Sequence, residues 1–170
     1  DRSTTGIAKG EALEDVAHMF NNYGDGVVLR DSNPEAVYAM SSTLRIPIIN
    51  AGNGIDEHPT QAMADLYTMF KWRPSLASKE VSPEDRIRIG VIGLPSRMRT
   101  VRSLLRILSK FPQILEEVVV IHAPEVESEA PLFDPGQLEE LEASGMSIRC
   151  SSDLAAEIPD LDVVYINAIA

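Results

Sequence analysis

The chain has 170 residues, of which 44% are hydrophobic, and this is enough to bury the core of one domain or of two small ones. Its formal net charge of −11 argues against a nucleic-acid-binding protein, because phosphate backbones attract basic surfaces. No run approaches the roughly 18 apolar residues of a membrane-spanning helix, so we expect no membrane association. Cys150 is the single cysteine, which excludes an internal disulfide and predicts a cytoplasmic protein.

Short apolar runs alternate with helical patterns along the chain. Most of the runs are β-branched and apolar on both faces, as expected of parallel strands that are covered on both sides. The alternation therefore predicts the α/β class. The predicted strands are residues 26–30, 46–50, 87–93, 118–123 and 162–167, with a weaker one at 147–150. The predicted helices are residues 11–22, 34–44, 59–72, 98–111, 137–144 and 152–157.

The segment KWRPSLASKEVSPEDR, residues 71–86, is the best candidate for a domain boundary because it is rich in proline, serine and charge. We expect two Rossmann-like parallel-sheet domains. The first covers residues 1–73, a linker covers residues 74–86, and the second covers residues 87–170. Both domains are expected to be incomplete at the chain ends, because the sequence begins in a loop and stops soon after a strand.

The stretch NAGNGIDEHPTQAMADLYTMF, residues 50–70, combines a glycine-rich turn with the start of an amphipathic helix. Pro59 suits the first helical position, His58 lies near the N-cap, and Gln61 lies where a side chain can turn back toward the cap. Imidazole, amide and backbone N–H groups thus gather where a strand ends and a helix begins, a place where anions and oxyanions are stabilised. The residues alone leave two interpretations open: an anion or carbonyl site, or a histidine-capped helix in contact with solvent.

This stretch closely resembles the corresponding segment of aspartate carbamoyltransferases, whose motif is His-Pro-Thr-Gln, an apolar pair, Asp, and Leu-Tyr-Thr or similar. Ornithine carbamoyltransferases have a related His-Pro-x-Gln. Upstream, KGEALEDVAHMFNNYGDGVVLR is similar to the family's Lys-Gly-Glu loop, helix and strand ending in arginine. Downstream, the similarity continues more loosely from IGVIGLPSRMRTVRSLL to LDVVYINA. Almost the whole chain therefore resembles the aspartate/ornithine carbamoyltransferase family.

The resemblance implies roles for three residues of the first half. Arg30 matches the arginine that binds carbamoyl phosphate, and its planar guanidinium suits phosphate and carbonyl oxygens. A surface ion pair with Asp31 or Glu35 is the alternative for Arg30. His58 would donate a hydrogen bond to the carbamoyl oxygen, and Gln61 would hold the carbamoyl NH₂ through its amide oxygen.

Three further residues have implied roles in substrate binding. Lys9 and Thr5 match a mobile loop that reaches the site of a neighbouring subunit, which implies a homotrimer, although a solvated loop lysine is the alternative. Arg99 matches the arginine that binds the carboxylate of the acceptor. Arg97 and Arg102 lie so near that a solvated basic helix face is the competing interpretation.

The implied activity is transfer of a carbamoyl group from carbamoyl phosphate to the amine of an amino acid, as in pyrimidine biosynthesis. The reaction needs no metal and no cofactor, and the sequence has no Cys/His cluster with metal spacing and no nucleotide-binding glycine motif. One alternative is a non-catalytic homologue that acts as a binding or scaffolding subunit. Another is an unrelated Rossmann-like protein that binds a small molecule.

The sequence departs from the family pattern mainly in its second half. Leu94, Met98 and Arg102 take the places of an aspartate, a glycine and a histidine, while Ala168 and Ala170 fall on an arginine that binds the aspartate side chain and on a glutamine. Losing a charge-assisted contact to a carboxylate costs about 1.5–3 kcal/mol. We therefore expect the protein to bind aspartate poorly. Either the acceptor is a different amine, or acceptor binding has been lost, or the alignment shifts near the chain end. The family's Ser-Thr-Arg-Thr-Arg phosphate loop is expected before residue 1.

Overall fold

The computed structural model describes residues 10–123 and 131–166, and it confirms the α/β class with parallel sheets. The chain forms two compact units, residues 1–60 and residues 61–170. Within the described ranges, no helix is both long and apolar enough to cross a membrane. The helices and strands are, in chain order, α1 (Leu13–Tyr23), β1 (Val27–Asp31), α2 (Ala36–Thr43), β2 (Ile48–Asn53), α3 (Pro59–Trp72), β3 (Ile87–Ile92), α4 (Arg99–Leu108), β4 (Leu115–Ile121), α5 (Gln137–Ala143), β5 (Ile148–Ser151), α6 (Leu154–Glu157) and β6 (Val163–Ile166).

The first unit has a two-stranded parallel sheet in which β1 pairs with β2. Val27 lies opposite Ile48 at the start of the pair, and Asp31 lies opposite Asn53 at its end. Helix α1 packs against α2, and α2 packs against β2. Because the two strands are parallel, both of their carboxyl ends lie at the same edge of the sheet, next to the residues that precede α3.

The second unit has a four-stranded parallel sheet with the order β5-β4-β3-β6. The chain places β4 and β5 on one side of β3 and β6 on the other, so the strand order reverses between β3 and β6. In open α/β sheets, the carboxyl ends of strands at such a reversal form the usual ligand crevice. The core is made of aliphatic side chains from α3, α4 and the strands, including Leu66, Met69, Ile87, Ile89, Val91, Val101, Leu104, Leu105, Leu108 and Val118.

The segment expected to be a linker is packed into the second unit. It contains two 3₁₀ turns, Pro74–Ala77 and Pro83–Asp85, and Leu76 and Val81 are buried in the core of that unit. Helix α3 contributes to the same core, which is why the compact units divide between Thr60 and Gln61 rather than within residues 74–86. The division into a domain of residues 1–73 and a domain of residues 87–170 stays a prediction.

Candidate active site

Arg30 and His58 are brought together at the carboxyl ends of β1 and β2. Arg30 Nη1 lies 3.0 Å from His58 Nε2, and the same nitrogen donates a hydrogen bond of 3.1 Å to the carbonyl oxygen of Ala51. A guanidinium can only donate, so Nε2 is the acceptor and the imidazole is neutral, with its proton on Nδ1. Nδ1 lies 3.4 Å from Thr60 Oγ1. The pair therefore places a positively charged guanidinium next to an imidazole at the edge of the sheet. This combination suits an anionic ligand.

Asp31, one of the two alternative ion-pair partners considered for Arg30, has a carboxylate that binds the backbone instead. Asp31 is buried, and its carboxylate accepts a hydrogen bond of 2.7 Å from the backbone N–H of Asn33. The Arg30 guanidinium instead contacts the Ala51 carbonyl oxygen and His58 Nε2. This geometry favours a role at the site over that of a simple surface charge.

Gly52, which belongs to the glycine-rich stretch at the end of β2, lies against this pair. Its φ is +111°, a backbone conformation that side chains rarely adopt. A Cβ placed there would collide with Arg30 Nη1 and would lie 3.3 Å from His58 Cδ2. The absence of a side chain at position 52 thus makes room for both functional groups.

His58 is followed by Pro59, which begins α3 as the sequence predicted. Gln61 lies in the first turn of this helix and is exposed, and its Nε2 donates a hydrogen bond of 2.9 Å to Asp65 Oδ1. This contact joins the Gln61 amide to Asp65 one turn further along α3.

Asp65 also connects α3 to β6 within the second unit. Its Oδ2 accepts a hydrogen bond of 3.0 Å from the Tyr165 hydroxyl. Burial, together with the neighbouring Asp65 carboxylate, raises the pKa of Tyr165, so the hydroxyl remains a proton donor at neutral pH. Asp65 therefore links α3 to β6 while its other carboxylate oxygen accepts from Gln61.

The three arginines near the start of α4 occupy different environments. Arg99 is the first residue of α4 and is half-buried, whereas Arg97 is exposed in the preceding turn. Arg102 forms an ion pair with Asp134, with 2.7 Å between Nε and Oδ2, and its Nη2 donates to the Ser96 carbonyl oxygen at 2.8 Å. Arg102 is thus held by structural contacts to Asp134 and to the turn before α4.

The carboxyl end of β3 is apolar where the family pattern has an aspartate and a glycine. Met98 is buried, and a Cβ at Gly93 would lie 2.6 Å from its sulfur, so the thioether packs directly on the Gly93 backbone. Leu94 is half-buried in the same turn. Lys9, Thr5, Ala168 and Ala170 lie outside the described residues. Among the described residues, no three potential metal ligands of the His, Cys, Asp and Glu types come together.

Comparison with known proteins agrees with the geometry. Residues 1–71 match the family model for the aspartate/ornithine carbamoyltransferase, carbamoyl-P binding domain. The aspartate carbamoyltransferase catalytic subunit of Saccharophagus degradans is 37% identical over 99% of this chain and 48% of its own length. The chloroplastic enzyme of Arabidopsis thaliana is 34% identical over 96% of this chain and 38% of its own length.

Solved structures show the same relationship. Aspartate transcarbamoylase from Trypanosoma cruzi, in complex with carbamoyl aspartate and phosphate, matches with a TM-score of 0.76 and 32% identity, over 97% of this chain and 50% of that one. Its complex with carbamoyl phosphate and aspartate matches with a TM-score of 0.71 and 30% identity, over 97% and 52%. The chain spans about half the length of the relatives it matches. On the strength of its sequence, its parallel sheets and its solved relatives, the chain belongs to the aspartate/ornithine carbamoyltransferase family.

Proposed function

We propose that the protein carrying this chain is a carbamoyltransferase, which moves the carbamoyl group of carbamoyl phosphate to the amine of an amino acid. The observation that carries the proposal is the Arg30–His58 pair, with 3.0 Å between Nη1 and Nε2, at the carboxyl ends of two parallel strands and just before a helix. The positively charged guanidinium of Arg30, the imidazole of His58 and the N-terminus of α3 together suit the negative charge of an acyl phosphate.

The reaction assigns a role to each group. The amine nitrogen attacks the carbamoyl carbon, the C–O bond to phosphate breaks with its electron pair going to phosphate, and the proton lost by the amine ends on phosphate. Arg30 binds the oxygens of carbamoyl phosphate, Gln61 accepts from the carbamoyl NH₂, and His58 stabilises the oxyanion. Since the His58 proton lies on Nδ1 in the contact with Arg30, donation comes from Nδ1–H, or from Nε2–H once Arg30 has turned to the substrate and the imidazole has changed to its other tautomer.

The remaining assignments concern the acceptor and the assembly. Arg99 binds the acceptor's carboxylate, and Lys9 and Thr5 act on a loop that completes the site of the neighbouring subunit in a homotrimer. We place the protein in the cytoplasm, in pyrimidine biosynthesis if its acceptor is aspartate. The solved relatives from Trypanosoma cruzi include complexes with aspartate and with carbamoyl phosphate, which supports this substrate class.

A second candidate is a homologue that binds carbamoyl phosphate without transferring its carbamoyl group. The observation in its favour is the apolar carboxyl end of β3, where Met98 packs on Gly93 and Leu94 takes the place of the family's aspartate. A changed amine acceptor is equally compatible with this apolar environment. The two candidates differ in whether any amine causes phosphate release.

The test compares the full-length protein with its His58→Ala variant, by measuring phosphate release from carbamoyl phosphate with aspartate, ornithine and a panel of other amines. Removing a group that stabilises an oxyanion lowers kcat by about 10²–10³-fold, and we expect a loss of this size. His18→Ala, at an exposed position on α1, is the matched control and should keep full activity. If the folded wild-type protein releases no phosphate with any amine, the transferase function is excluded and the binding homologue remains.

A further inference from the structure

We propose that Asn53 is a positioning residue that fixes the His58 loop, which we define as residues 50–58, and thereby sets the geometry of the Arg30–His58 pair. The catalytic meaning of this inference rests on the proposed function, but the contacts that support it do not. Asn53 is fully buried although it is polar, at the end of β2. A buried amide is costly unless all of its hydrogen-bonding groups are satisfied, so the contacts of this side chain are informative.

The Asn53 side chain makes four hydrogen bonds. Its Oδ1 accepts from Asn50 Nδ2 at 2.7 Å and from the backbone N–H of Glu57 at 3.2 Å. Its Nδ2 donates to the carbonyl oxygen of Pro34 at 2.8 Å and to Asp56 Oδ2 at 2.8 Å. The backbone adds a fifth contact, from the Asn53 N–H to the Glu57 carbonyl oxygen at 3.1 Å. One residue thus connects both ends of the His58 loop to the segment before α2.

Fixed backbone groups determine which way the amide points. The Gly52 N–H donates to Asn50 Oδ1 at 2.8 Å, so Asn50 must present its NH₂ to Asn53. On the other side, the Pro34 carbonyl can only accept. The amide therefore cannot be flipped. A carboxylate at position 53 would place an acceptor against the Pro34 carbonyl and the Asp56 carboxylate, so an aspartate cannot replace the asparagine without loss.

The contacts of Asn53 lead directly to the catalytic pair. Glu57 immediately precedes His58. Its backbone pairs with the backbone of Asn53 and also donates to the Asn53 side chain. Gly52, which immediately precedes Asn53, has its backbone against Arg30 and His58. Asp56 is held in turn by the Tyr38 hydroxyl of α2 at 2.7 Å. A shift of the Asn53 side chain would therefore move the loop that holds both members of the pair.

The experiment uses the full-length protein with Asn53→Asp, Asp56→Asn and the double variant. The first readout is the ¹⁵N resonance of the His58 imidazole, assigned with His58→Ala, which reports whether Nε2 is unprotonated as the contact with Arg30 requires. The second is kcat/KM for phosphate release, measured where circular dichroism shows the protein fully folded. Asn22→Asp, on the exposed side of α1, makes the same chemical change and is the matched control.

We expect Asn53→Asp to change the imidazole resonance and to lower kcat/KM by about a hundredfold, because misplacing a catalytic group by about 1 Å has effects of this size. The double variant should recover part of both readouts, since Asp56→Asn supplies an amide donor to the new carboxylate. Asn22→Asp should change neither readout. An unchanged imidazole resonance in folded Asn53→Asp protein, or a double variant no better than the single one, would overturn the role of Asn53.

Two further outcomes remain informative. If Asn53→Asp does not fold, Asp56→Ala serves, because it removes the half-buried carboxylate that accepts from Asn53 Nδ2. It should change the His58 resonance relative to the wild type, and an unchanged resonance would again overturn the inference. If the wild-type protein releases no phosphate, the proposed transferase function fails, while the resonance still decides whether Asn53 positions His58.

Discussion

Gly52 controls how closely the backbone of the His58 loop approaches the Arg30–His58 pair. We predict that Gly52→Ala lowers the free energy of unfolding by about 1–3 kcal/mol, because alanine would be strained at a φ of +111°. The new Cβ would also collide with Arg30 Nη1. Since the guanidinium is the end of a flexible side chain, Arg30 should move and break its contact with His58, so phosphate release should fall more than tenfold. Equilibrium urea unfolding and initial rates measure the two effects.

Gly24→Ala is the matched control for this prediction. Gly24 follows α1 with a φ of −142°, and a Cβ there would meet its nearest atom at an ordinary 3.6 Å. Its activity and its free energy of unfolding should therefore stay close to those of the wild type. A Gly52→Ala protein with normal phosphate release would show that the close packing at this glycine is unimportant for the pair.

The sequence points to the candidate site residues more readily than to the residues that position them. His58, Gln61 and Arg30 are proposed site residues because a local motif, the end of a strand and the resemblance to a known family single them out. The roles of Gly52 and Asn53 depend on segments about 20 residues away, namely Arg30 for the first and Pro34 for the second. Spacing along the chain does not encode such distances, so these two residues become visible only in the folded structure.

At the level of elements, the predicted strands and helices of the described part agree with the observed ones to within a few residues. The largest differences, of three residues, are at the ends of β2 and α4 and at the start of β4, which begins at Leu115 because Leu115 pairs with Ile87 across the sheet. Local patterns of apolar residues predict where an element lies. Strand order and the burial of Leu76 and Val81 instead depend on long-range pairing and packing, which no local pattern contains.

Arg149 joins three elements of the second unit, and its ion pairs predict a pH-dependent stability. It lies on β5, donates to Glu117 of β4 at 3.0 Å, and donates through both terminal nitrogens to Glu157 of α6 at 2.7 and 2.6 Å. Hydrogen bonds from Arg149, and then from Ser151, lower the pKa of Glu157 from 4.5 to about 2. The folded state therefore keeps this carboxylate ionised at pH values where the unfolded state protonates it.

The direction of the effect follows from this difference in proton binding. The stabilisation by Glu157 is complete above a pH of about 4.5 and is lost as the pH falls toward about 2. We predict that Glu157→Gln lowers the melting temperature at pH 7, and that its gap to the wild type narrows steadily from pH 4.5 to 2.5. Glu142→Gln, at an exposed position on α5, is the control for loss of one negative charge. A gap that stays constant over this range would contradict the prediction.

At the level of the whole molecule, the proposed homotrimer makes each active site a shared one. Under this proposal, one subunit supplies Arg30, His58 and Gln61, and its neighbour supplies Lys9 on the loop implied by the family resemblance. In a closed ring of three, every subunit gives a loop to one neighbour and receives a loop from the other. Two variants that are inactive for different reasons should therefore complement each other when they assemble into mixed trimers.

We predict that Lys9→Ala and His58→Ala are each nearly inactive, and that co-expressing them in equal amounts restores about a quarter of the wild-type rate. In a randomly mixed trimer, a site is intact only if its His58 comes from the Lys9 variant and its Lys9 comes from the His58 variant, which gives about one half multiplied by about one half. Light scattering of the purified mixture checks the trimer, and phosphate release measures the recovery. A mixture no more active than the two variants assayed separately would show that each subunit completes its own site, because only exchange of Lys9 between neighbours can produce an intact constellation.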